Sequence, residues 1–378
     1  MRYIQEFIQK DLQKKMVFVG GPRQVGKTTL AKQLMNNQGL YLNWDNDFDR
    51  KKILNQSWSD DDQCLVFDEL HKFPRWKNWI KGIYDAEKEL HQILVTGSAR
   101  LDIYKRGGDS LMGRYHYYRL HPFTLNEIPK SVGKKNALDR LMKFGGFPEP
   151  FISGDETEAR RWRKERFDRV LKDDIRELES IKEINNISLL VDLLKSRVGS
   201  PIVISNLARD LQVAPNTVKN WIEILEKMYL VFKVPLYTHK LARSLQKPFR
   251  IYFYDNADVD VDQHDDQGAK FENLVANHLL KMLNFLEDTQ GYKCELRYIR
   301  DKDGREVDFC IVIDNKVVEL IEVKLNDSSV SKSLIYFSEI LKPLRSTQIL
   351  YKAVDRYKKN NFVINGVQDE FSNLNRWK

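Results

Sequence analysis

Residues 18–30 read FVGGPRQVGKTTL, and this stretch constrains the fold of the 378-residue chain more than any other. Gly21, Gly26, Lys27 and Thr28 complete the pattern G-x-x-x-x-G-K-T, directly after an apolar run and before a helical pattern. Glycines let backbone N–H groups approach phosphate oxygens with no Cβ in the way, and a helix N-terminus favours negative charge. The stretch therefore predicts a strand, a loop and a helix that bind the phosphates of a nucleotide.

The loop and the start of the helix are predicted to contact ATP. Lys27 can bridge the β- and γ-phosphates, and the hydroxyl of Thr28 can ligate Mg²⁺. The residues expected to touch the nucleotide are Gly21, Pro22, Arg23, Gln24, Val25, Gly26, Lys27, Thr28 and Thr29.

Short apolar segments alternate with helical segments over about the first third of the chain. The segments typical of strands are MVFVG, LYLNWD, CLVFDE, ILVTGS and YHYYRLHPF, and those typical of helices are TTLAKQLMNN and WKNWIKGIYDAEKEL. This alternation predicts an α/β domain with a parallel sheet covered by helices. We place this domain at residues 1–150, where the cluster GGFPEP ends it.

Two strand ends carry side chains suited to nucleotide hydrolysis. In CLVFDEL, Asp68 is expected to hold Mg²⁺ through its water shell, and Glu69 is expected to act as general base for the attacking water. In ILVTGSAR, Thr96 or Ser98 could orient that water, or either could simply cap the strand.

An arginine follows Gly113 where a new strand begins. Arg114 could reach the nucleotide of a neighbouring subunit and neutralise charge in the transition state. Arg100 and Arg106 are rivals for this role, and an ordinary surface salt bridge is the alternative for Arg114.

Five stretches together resemble a known family. GPRQVGKTTL, FDELHKFPRW, VTGSARL, LMGRYHYYRLHPFTLNE and GGFP are similar to the AAA-type prokaryotic ATPases joined to a poorly characterised C-terminal domain. The resemblance spans nearly the whole chain. It implies an AAA+ fold, a lid or winged-helix segment after GGFP, and a C-terminal domain similar to restriction-endonuclease folds.

Residues 151–254 are predicted to form a helical and winged-helix module. Residues 155–183 predict one long charged helix, and residues 202–253 predict helix, turn, helix and two strands, with Ser205 and Asn216 as helix caps. The second helix of such a module can enter the major groove of DNA, while basic side chains of the wing follow phosphates. The predicted DNA contacts are Asn216, Thr217, Lys219, Asn220 and Lys227 on the helix and Lys240, Arg243, Lys247 and Arg250 on the wing. The alternative is that the module only packs between domains.

Residues 255–378 are predicted to form a small α/β domain with a second site. Asp308 in EVDFCIVID and Glu322 and Lys324 in ELIEVKL would meet across a hairpin closed by DNK, and Glu272 on the preceding helix could join them. The carboxylates could bind Mg²⁺ and the lysine could steady a water or the scissile phosphate. This set resembles the D…E-x-K signature of the restriction-endonuclease superfamily, PD-(D/E)XK. A half-exposed strand with alternating charge is the alternative.

Composition adds few constraints. The net charge of +8 permits a polyanionic partner but does not require one, and Cys64, Cys294 and Cys310 predict free thiols in a reducing compartment. No apolar run approaches the ~20 residues of a membrane span, and the N-terminal segment lacks the apolar core of a signal peptide. We therefore expect a cytoplasmic protein with no membrane association.

These observations lead to one expectation and two alternatives. We expect an ATP-hydrolysing AAA+ protein that forms a homo-oligomer, with a hexameric ring as one form. It would bind and process DNA, with branched DNA as one candidate, and its C-terminal domain could act as an Mg²⁺-dependent endonuclease. The first alternative is an ATP-gated switch whose nuclease-like domain binds a partner without cleaving. The second is a protein-remodelling or toxin–antitoxin-like regulator with no affinity for DNA.

Overall fold

The computed structural model describes most of the chain in ten segments. They are residues 2–36, 38–97, 111–133, 136–171, 181–238, 248–259, 267–326, 329–352, 357–372 and 376–377. The chain forms two compact units, residues 1–121 with 227–229, and residues 122–226 with 230–378. The division at residues 150 and 254 is a different one and remains a prediction.

The first unit is built on a five-stranded sheet in the order β2-β3-β4-β1-β5. Its strands are β1 (Met16–Gly20), β2 (Gly39–Asn43), β3 (Cys64–Asp68), β4 (Gln92–Thr96) and β5 (Tyr115–Arg119). Its helices include α1 (Gln5–Leu12), α2 (Lys27–Met35), α3 (Asp47–Asn55) and α4 (Trp76–Glu87). Every neighbouring pair of strands is parallel, which confirms the predicted parallel sheet.

Burial explains why these strands are continuous apolar runs. All five residues of β1 and all five of β3 are buried, as is usual where helices cover a parallel sheet. Phe18, Phe67 and Trp76 belong to one core cluster. Because the strands are parallel, the carboxyl ends of β1, β3 and β4 lie at one edge, and the loops that follow them can form a site there.

The second unit begins with a helical region. Its helices include α5 (Ala137–Phe144), α6 (Pro148–Ser153), α7 (Glu156–Arg169), α8 (Ile181–Lys195), α9 (Ile204–Asp210) and α10 (Pro215–Lys227). The predicted long helix corresponds to α7 over 156–169, where the Asp155 carboxylate caps the start by accepting from the Glu158 N–H at 2.8 Å. Residues 172–180 of that prediction lie outside the described residues.

A three-stranded antiparallel sheet follows these helices, in the order β6-β8-β7. Its strands are β6 (Pro201–Ile202), β7 (Val231–Pro235) and β8 (Phe249–Phe253). The predicted helix caps are wrong: Val203 precedes α9, so Ser205 lies inside it. Asn216 lies inside α10, because Pro215 opens that helix with a φ already suited to its first position.

The rest of the second unit is a six-stranded mixed sheet with a long helix, α11 (Gln267–Gln290). The remaining elements are β9 (Cys294–Arg300), β10 (Glu306–Ile313), β11 (Lys316–Lys324), α12 (Lys332–Leu341), β12 (Arg345–Leu350), β13 (Tyr357–Lys359), β14 (Phe362–Gly366) and α13 (Val367–Glu370). The hairpin β10–β11 turns at Asp314 and Asn315, whose φ values of 47° and 64° suit a tight primed turn. This confirms the hairpin predicted at DNK.

The helix α11 also fixes the segment that opens the second unit. Lys281 is fully buried in α11, and its ammonium group contacts the Glu127 carboxylate and donates to Thr124 Oγ1 at 2.9 Å. One turn earlier, His278 Nε2 accepts from the backbone N–H of Leu125 at 3.0 Å. Residues 124–127 are therefore fastened to the middle of this helix.

Two expectations about the whole chain can be compared with the structure. Cys64, Cys294 and Cys310 are free thiols, as predicted, and the first and last of these are buried. In the ten described segments, no helix combines the length and the apolar composition that crossing a bilayer requires.

Candidate functional site

The loop between β1 and α2 depends on its glycines. Gly21 and Gly26 have φ values of 146° and 97°, which residues with a Cβ rarely adopt. A Cβ on Gly21 would lie 2.4 Å from the carbonyl oxygen of Leu120. The backbone therefore takes a shape at these two positions that only glycine permits without strain.

The lysine of the loop is buried against the loop itself. The Lys27 side chain belongs to the first turn of α2, and its Nζ donates to the carbonyl oxygens of Gly21 at 3.0 Å and Pro22 at 2.7 Å. These bonds hold the positive charge beside the bare backbone of the loop. An ammonium group in this position can interact with phosphate oxygens.

Asp68 ends β3 beside the loop and accepts hydrogen bonds from three hydroxyls. Thr28 Oγ1 donates to its Oδ2 at 2.8 Å, Tyr41 donates to the same oxygen at 2.6 Å, and Thr96 Oγ1 donates to Oδ1 at 2.5 Å. The structure thus brings Thr28 and Asp68 together as predicted. A hydroxyl next to a carboxylate is a donor set that suits Mg²⁺, so the residues present fit this ion.

No role for Tyr41 follows from the sequence. The pattern LYLNWD predicts the strand β2, but nothing in it distinguishes a tyrosine that packs from one that orients a carboxylate. Burial raises the pKa of Tyr41, and the hydrogen bond to Asp68 raises it further, so the phenol stays a donor. Thr96 likewise contacts Asp68, and its proposed action on the attacking water remains a prediction.

Tyr41→Phe should raise the Mg²⁺ concentration needed for half-maximal ATP turnover by about 10–100-fold, the usual effect of losing a residue that orients a metal ligand. The measurement is ATP turnover against Mg²⁺ concentration. Tyr292→Phe is the matched control, because Tyr292 is exposed and belongs to the other unit. An unchanged Mg²⁺ requirement in Tyr41→Phe would show that Tyr41 only packs.

Glu69 follows Asp68 in a conformation that is unusual for a side chain with a Cβ. Its φ of 55° lies in the left-handed region, a strain of about 1–3 kcal/mol that is typical of functional sites. Its buried Oε2 accepts no hydrogen bond from any described residue; His71 Nε2 and Lys72 Nζ lie at 3.6 and 3.7 Å. Burial raises the pKa of Glu69 despite the opposing charge of Lys27. The carboxylate is therefore poised to accept a proton.

The arginine predicted to act between subunits lies in an ion pair. Arg114 Nε and Nη2 contact the Asp85 carboxylate of α4 at 2.7 and 3.1 Å. This geometry matches the salt-bridge alternative, and a role toward a neighbouring subunit remains a prediction. Ser98, Arg100 and Arg106 lie outside the described residues.

The side chains of the second predicted site also come together, in a partly buried cluster. Lys324 Nζ contacts Glu322 Oε1 at 2.9 Å, and Asp308 Oδ2 accepts from the backbone N–H of Val323 at 2.9 Å. Asp308 also helps to raise the pKa of Glu322 to about 7, after the larger effect of burial. Glu272 of α11 joins the cluster through an arginine.

That arginine is Arg250, and its predicted place on a solvent-exposed wing is wrong. It lies in β8, is 2% exposed, and its Nη1 contacts Glu272 Oε1 at 3.1 Å and Asp308 Oδ1 at 3.3 Å. Its Nη2 contacts Glu306 Oε2 at 3.2 Å. The reason is topological: β8 is the central strand of its sheet, and Arg250 pairs with residues of both neighbouring strands.

The predicted metal ligands of this second site do not fit a metal ion as they are arranged. In the segments that the structure describes, no three His, Cys, Asp or Glu side chains are placed to hold a metal ion. A guanidinium group lies between Glu272 and Asp308 instead. A role for Glu272, Asp308 and Glu322 as metal ligands remains a prediction.

The helix α10 separates an apolar face from a polar one. Its buried side chains are Val218, Trp221, Ile222, Ile224 and Leu225. Asn216, Lys219 and Asn220 are exposed and Thr217 is half-buried, so the predicted DNA contacts share the opposite side. Lys240, Arg243 and Lys247 lie outside the described residues.

Comparison with protein families divides the chain into three matched stretches. Residues 13–129, which contain the glycine loop, Asp68 and Glu69, match the model of an AAA domain. The chain contains an AAA-type P-loop ATPase domain. Behind the AAA domain, residues 135–257 match a domain of unknown function (DUF8612) and residues 267–368 match another (DUF4143).

Two of the relatives that the chain resembles align with most of its length. Uncharacterized protein MJ1544 of Methanocaldococcus jannaschii is 24% identical over 390 residues, which covers 92% of this chain and 84% of the relative. Uncharacterized protein Rv2008c of Mycobacterium tuberculosis is 22% identical over 333 residues, which covers 84% of this chain and 72% of the relative.

Solved structures give only weak matches. A Bacteroides Pif1 bound to single-stranded DNA matches 38% of this chain and 46% of its own, at 14% identity and a TM-score of 0.21. The Hef helicase domain of Pyrococcus furiosus covers 94% of this chain and 90% of its own, at 12% identity and a TM-score of 0.21. Likenesses this weak show neither a shared fold nor a shared activity.

Proposed function

We propose that the AAA domain hydrolyses ATP and that the second unit uses the nucleotide cycle to act on DNA. The observation that carries the proposal is the placement of Thr28, Asp68 and Glu69 beside the glycine loop that holds Lys27. A phosphate loop, a carboxylate paired with a hydroxyl and a partly buried base are the parts that ATP hydrolysis requires.

The residues divide the reaction between binding and proton transfer. The loop amides and Lys27 bind the phosphates of ATP, the substrate, and fix the γ-phosphate in place. Mg²⁺, held by Thr28 and by Asp68, would neutralise charge on the phosphates. Glu69 Oε2 accepts a proton from the attacking water, whose oxygen bonds to the γ-phosphorus as the bond to ADP breaks. The products are ADP and inorganic phosphate.

The proposal extends to assembly and fold. The AAA domain adopts an AAA+ fold. The chain forms a homo-oligomer, of which a hexameric ring is one form. In this assembly Arg114 leaves Asp85 and contacts the nucleotide bound by a neighbouring subunit. The protein works in the cytoplasm. The C-terminal domain has a restriction-endonuclease-like fold with an Mg²⁺-dependent endonuclease activity at Asp308, Glu322 and Lys324.

DNA binding is assigned to a winged helix. The order α9, turn, α10, β7, β8, with β6 paired to β8, supports this fold. The exposed Asn216, Lys219 and Asn220 of α10 lie on the side away from the core, where a recognition helix needs them. The net charge of +8 favours a phosphate backbone as partner.

A second function competes for the C-terminal domain. The guanidinium of Arg250 lies where an active nuclease would need its carboxylates free. This observation favours an ATP-gated switch whose nuclease-like domain binds a partner without cutting it.

The test combines ATP turnover with DNA binding by the full chain. We expect ATP turnover that DNA stimulates, and fluorescence anisotropy with single-stranded, duplex and branched DNA should show salt-dependent binding. Lys219→Ala should weaken binding several-fold and reduce the slope against salt by about 0.9, while the exposed Lys316→Ala should change neither. Lys27→Ala should lower ATP turnover by about 100-fold or more while DNA remains bound.

The outcomes separate the two halves of the proposal. ATP turnover without DNA binding at low salt would reject the DNA partner and keep the ATPase. DNA binding without turnover would reject the ATPase. Mg²⁺-dependent nicking that Glu322→Ala abolishes would reject the non-cleaving switch.

A further inference from the structure

The side chain of Arg2 donates hydrogen bonds to two distant parts of the first unit. Its Nη1 donates to the carbonyl oxygen of Val25, inside the glycine loop, at 2.8 Å. Its Nη2 donates to the carbonyl oxygen of His121, just beyond the end of β5, at 2.5 Å. Both acceptors belong to buried residues. One guanidinium group therefore connects the glycine loop to the segment that follows β5.

That segment also lies directly against the start of the loop. The backbone N–H of Leu120 donates to the carbonyl oxygen of Gly20 at 2.9 Å, and the carbonyl oxygen of Leu120 leaves no room for a Cβ on Gly21. The hydroxyl of Tyr3 donates to the carbonyl oxygen of Arg119 at 2.5 Å. Contacts from outside the loop therefore hold its backbone near both of its ends.

The loop is also held from inside by its own lysine, but ATP competes for that contact. Lys27 Nζ donates to the carbonyl oxygens of Gly21 and Pro22. An ammonium group has three N–H donors, and bridging the β- and γ-phosphates takes two of them. At least one of the two carbonyls therefore loses its partner when ATP binds. The bond from Arg2 goes to a carbonyl oxygen, which phosphate does not bind, so ATP does not compete for that acceptor.

The shape of the loop matters because its backbone does the binding. The loop amides bind phosphate only when their N–H groups point toward one place. Glycine is the most conformationally free residue, so a loop that contains Gly21 and Gly26 loses much entropy when its shape is fixed. Contacts that fix this shape before the nucleotide arrives reduce the cost of binding it.

We propose that Arg2 is a positioning residue for nucleotide binding: its hydrogen bond to the carbonyl oxygen of Val25 keeps the loop amides directed toward the phosphates. Arg2 acts through the backbone of the loop and takes no part in proton transfer. This inference rests on the proposed function, because it concerns the same phosphate site.

The test is the binding of fluorescent ATP and ADP to the full chain that carries Arg2→Met, which removes the donors and keeps the aliphatic length. We expect the dissociation constants of both nucleotides to rise about tenfold, because a hydrogen bond from a charged donor is lost and both ligands bind through the same loop. Turnover at saturating ATP should stay within about threefold of the unaltered chain, since the groups that act on the γ-phosphate are unchanged.

Tyr118→Phe is the matched control. It removes the hydrogen bond from the Tyr118 hydroxyl to Asp11 Oδ2 at 2.6 Å, a bond that also joins α1 to β5 but does not involve the loop. Its nucleotide affinity should stay within about twofold of the unaltered chain. Equal losses of affinity in Arg2→Met and Tyr118→Phe would make Arg2 a general support of the fold and overturn the proposal.

Hydrogen exchange without nucleotide measures the shape of the loop itself. Exchange of the amides of residues 21–27 should be faster in Arg2→Met than in the unaltered chain, and unchanged in Tyr118→Phe. If Arg2→Met does not fold, Arg2→Lys takes its place. The single nitrogen of lysine cannot reproduce the contact of a guanidinium with two carbonyls, so affinity should fall about threefold or more.

The outcomes separate this inference from the proposed function. An unaltered chain that binds no nucleotide would reject the ATPase, whatever its loop exchange shows. Nucleotide binding by the unaltered chain, together with equal affinity in a folded Arg2→Met or Arg2→Lys, would reject the role of Arg2 and keep the ATPase. Loop exchange that does not change in Arg2→Met would also reject this role.

Discussion

Glu69→Gln should lower the rate of ATP hydrolysis by about 10²–10⁴-fold while ATP remains bound, the usual effect of removing a general base. Glutamine keeps the size of the side chain and cannot accept the proton. The side chain of Glu69 is 18% exposed, its backbone has a φ of 55°, and its Oε2 accepts no hydrogen bond from the described residues, with His71 Nε2 and Lys72 Nζ at 3.6 and 3.7 Å. Single-turnover hydrolysis measures the chemical step, and a fluorescent nucleotide measures binding.

The control for this change is Glu6→Gln, which removes the same charge from an exposed position of the same unit. Turnover in the control should match that of the unaltered chain. Because burial raises the pKa of Glu69, the rate should rise with pH through a value above that of an ordinary glutamate. Turnover within threefold of normal in Glu69→Gln would place the base elsewhere.

Glu319→Ala should destabilise the second unit by about 3–5 kcal/mol, the usual cost of breaking a buried ion pair from one side. Glu319 is fully buried in β11. Its two oxygens accept from Arg376 Nη2 at 2.6 Å and Nε at 2.8 Å, and Trp377 Nε1 donates to Oε2 at 2.7 Å. Removing the carboxylate leaves the buried Arg376 with Glu370 as its remaining described carboxylate partner.

Urea unfolding of the full chain measures this loss, and hydrogen exchange in the β12 and β14 peptides locates it. Glu339→Ala, on the exposed side of α12, is the control and should cost less than about 0.5 kcal/mol. A cost below about 1 kcal/mol for Glu319→Ala would mean that the network contributes no more than a surface pair.

The ion pair between Glu319 and Arg376 also determines how the stability of the fold changes with pH. Burial alone would raise the pKa of Glu319, but Arg376 lowers it below the usual value. A lowered folded-state pKa stabilises the fold above the pKa of the unfolded chain, and that contribution is lost as pH falls through the folded value. The difference in stability between the unaltered chain and Glu319→Ala should therefore shrink in acid.

The parts of this structure that depend on local pattern could be predicted from the sequence. The glycine loop, the parallel strands and the hairpin at DNK each follow from residues close together in the chain. The contacts of Tyr41 and Arg250 could not be predicted in this way, because their partners are distant in sequence. Asp68 lies 27 residues from Tyr41, and Glu272 and Asp308 lie 22 and 58 residues from Arg250. The sequence predicts a phosphate contact for Arg250, because basic residues near the wing of a winged helix usually contact phosphates.

The grouping of Asp308, Glu322 and Lys324 shows both the strength and the limit of such a prediction. Hairpin pairing and period-two alternation place the acidic and basic positions near one another. Neither rule predicts which cation lies beside the carboxylates. In the structure that cation is Arg250, which belongs to β8, outside the hairpin.

The long helix α11 has a mechanical consequence. Glu272 stands near its start and Lys281 stands nine residues later, which is about 14 Å along a helix axis. An α-helix is stiff along its axis, so a displacement of residues 124–127, which contact His278 and Lys281, would move Glu272 by a similar distance. The helix α11 therefore connects residues 124–127 mechanically to a carboxylate that contacts Arg250.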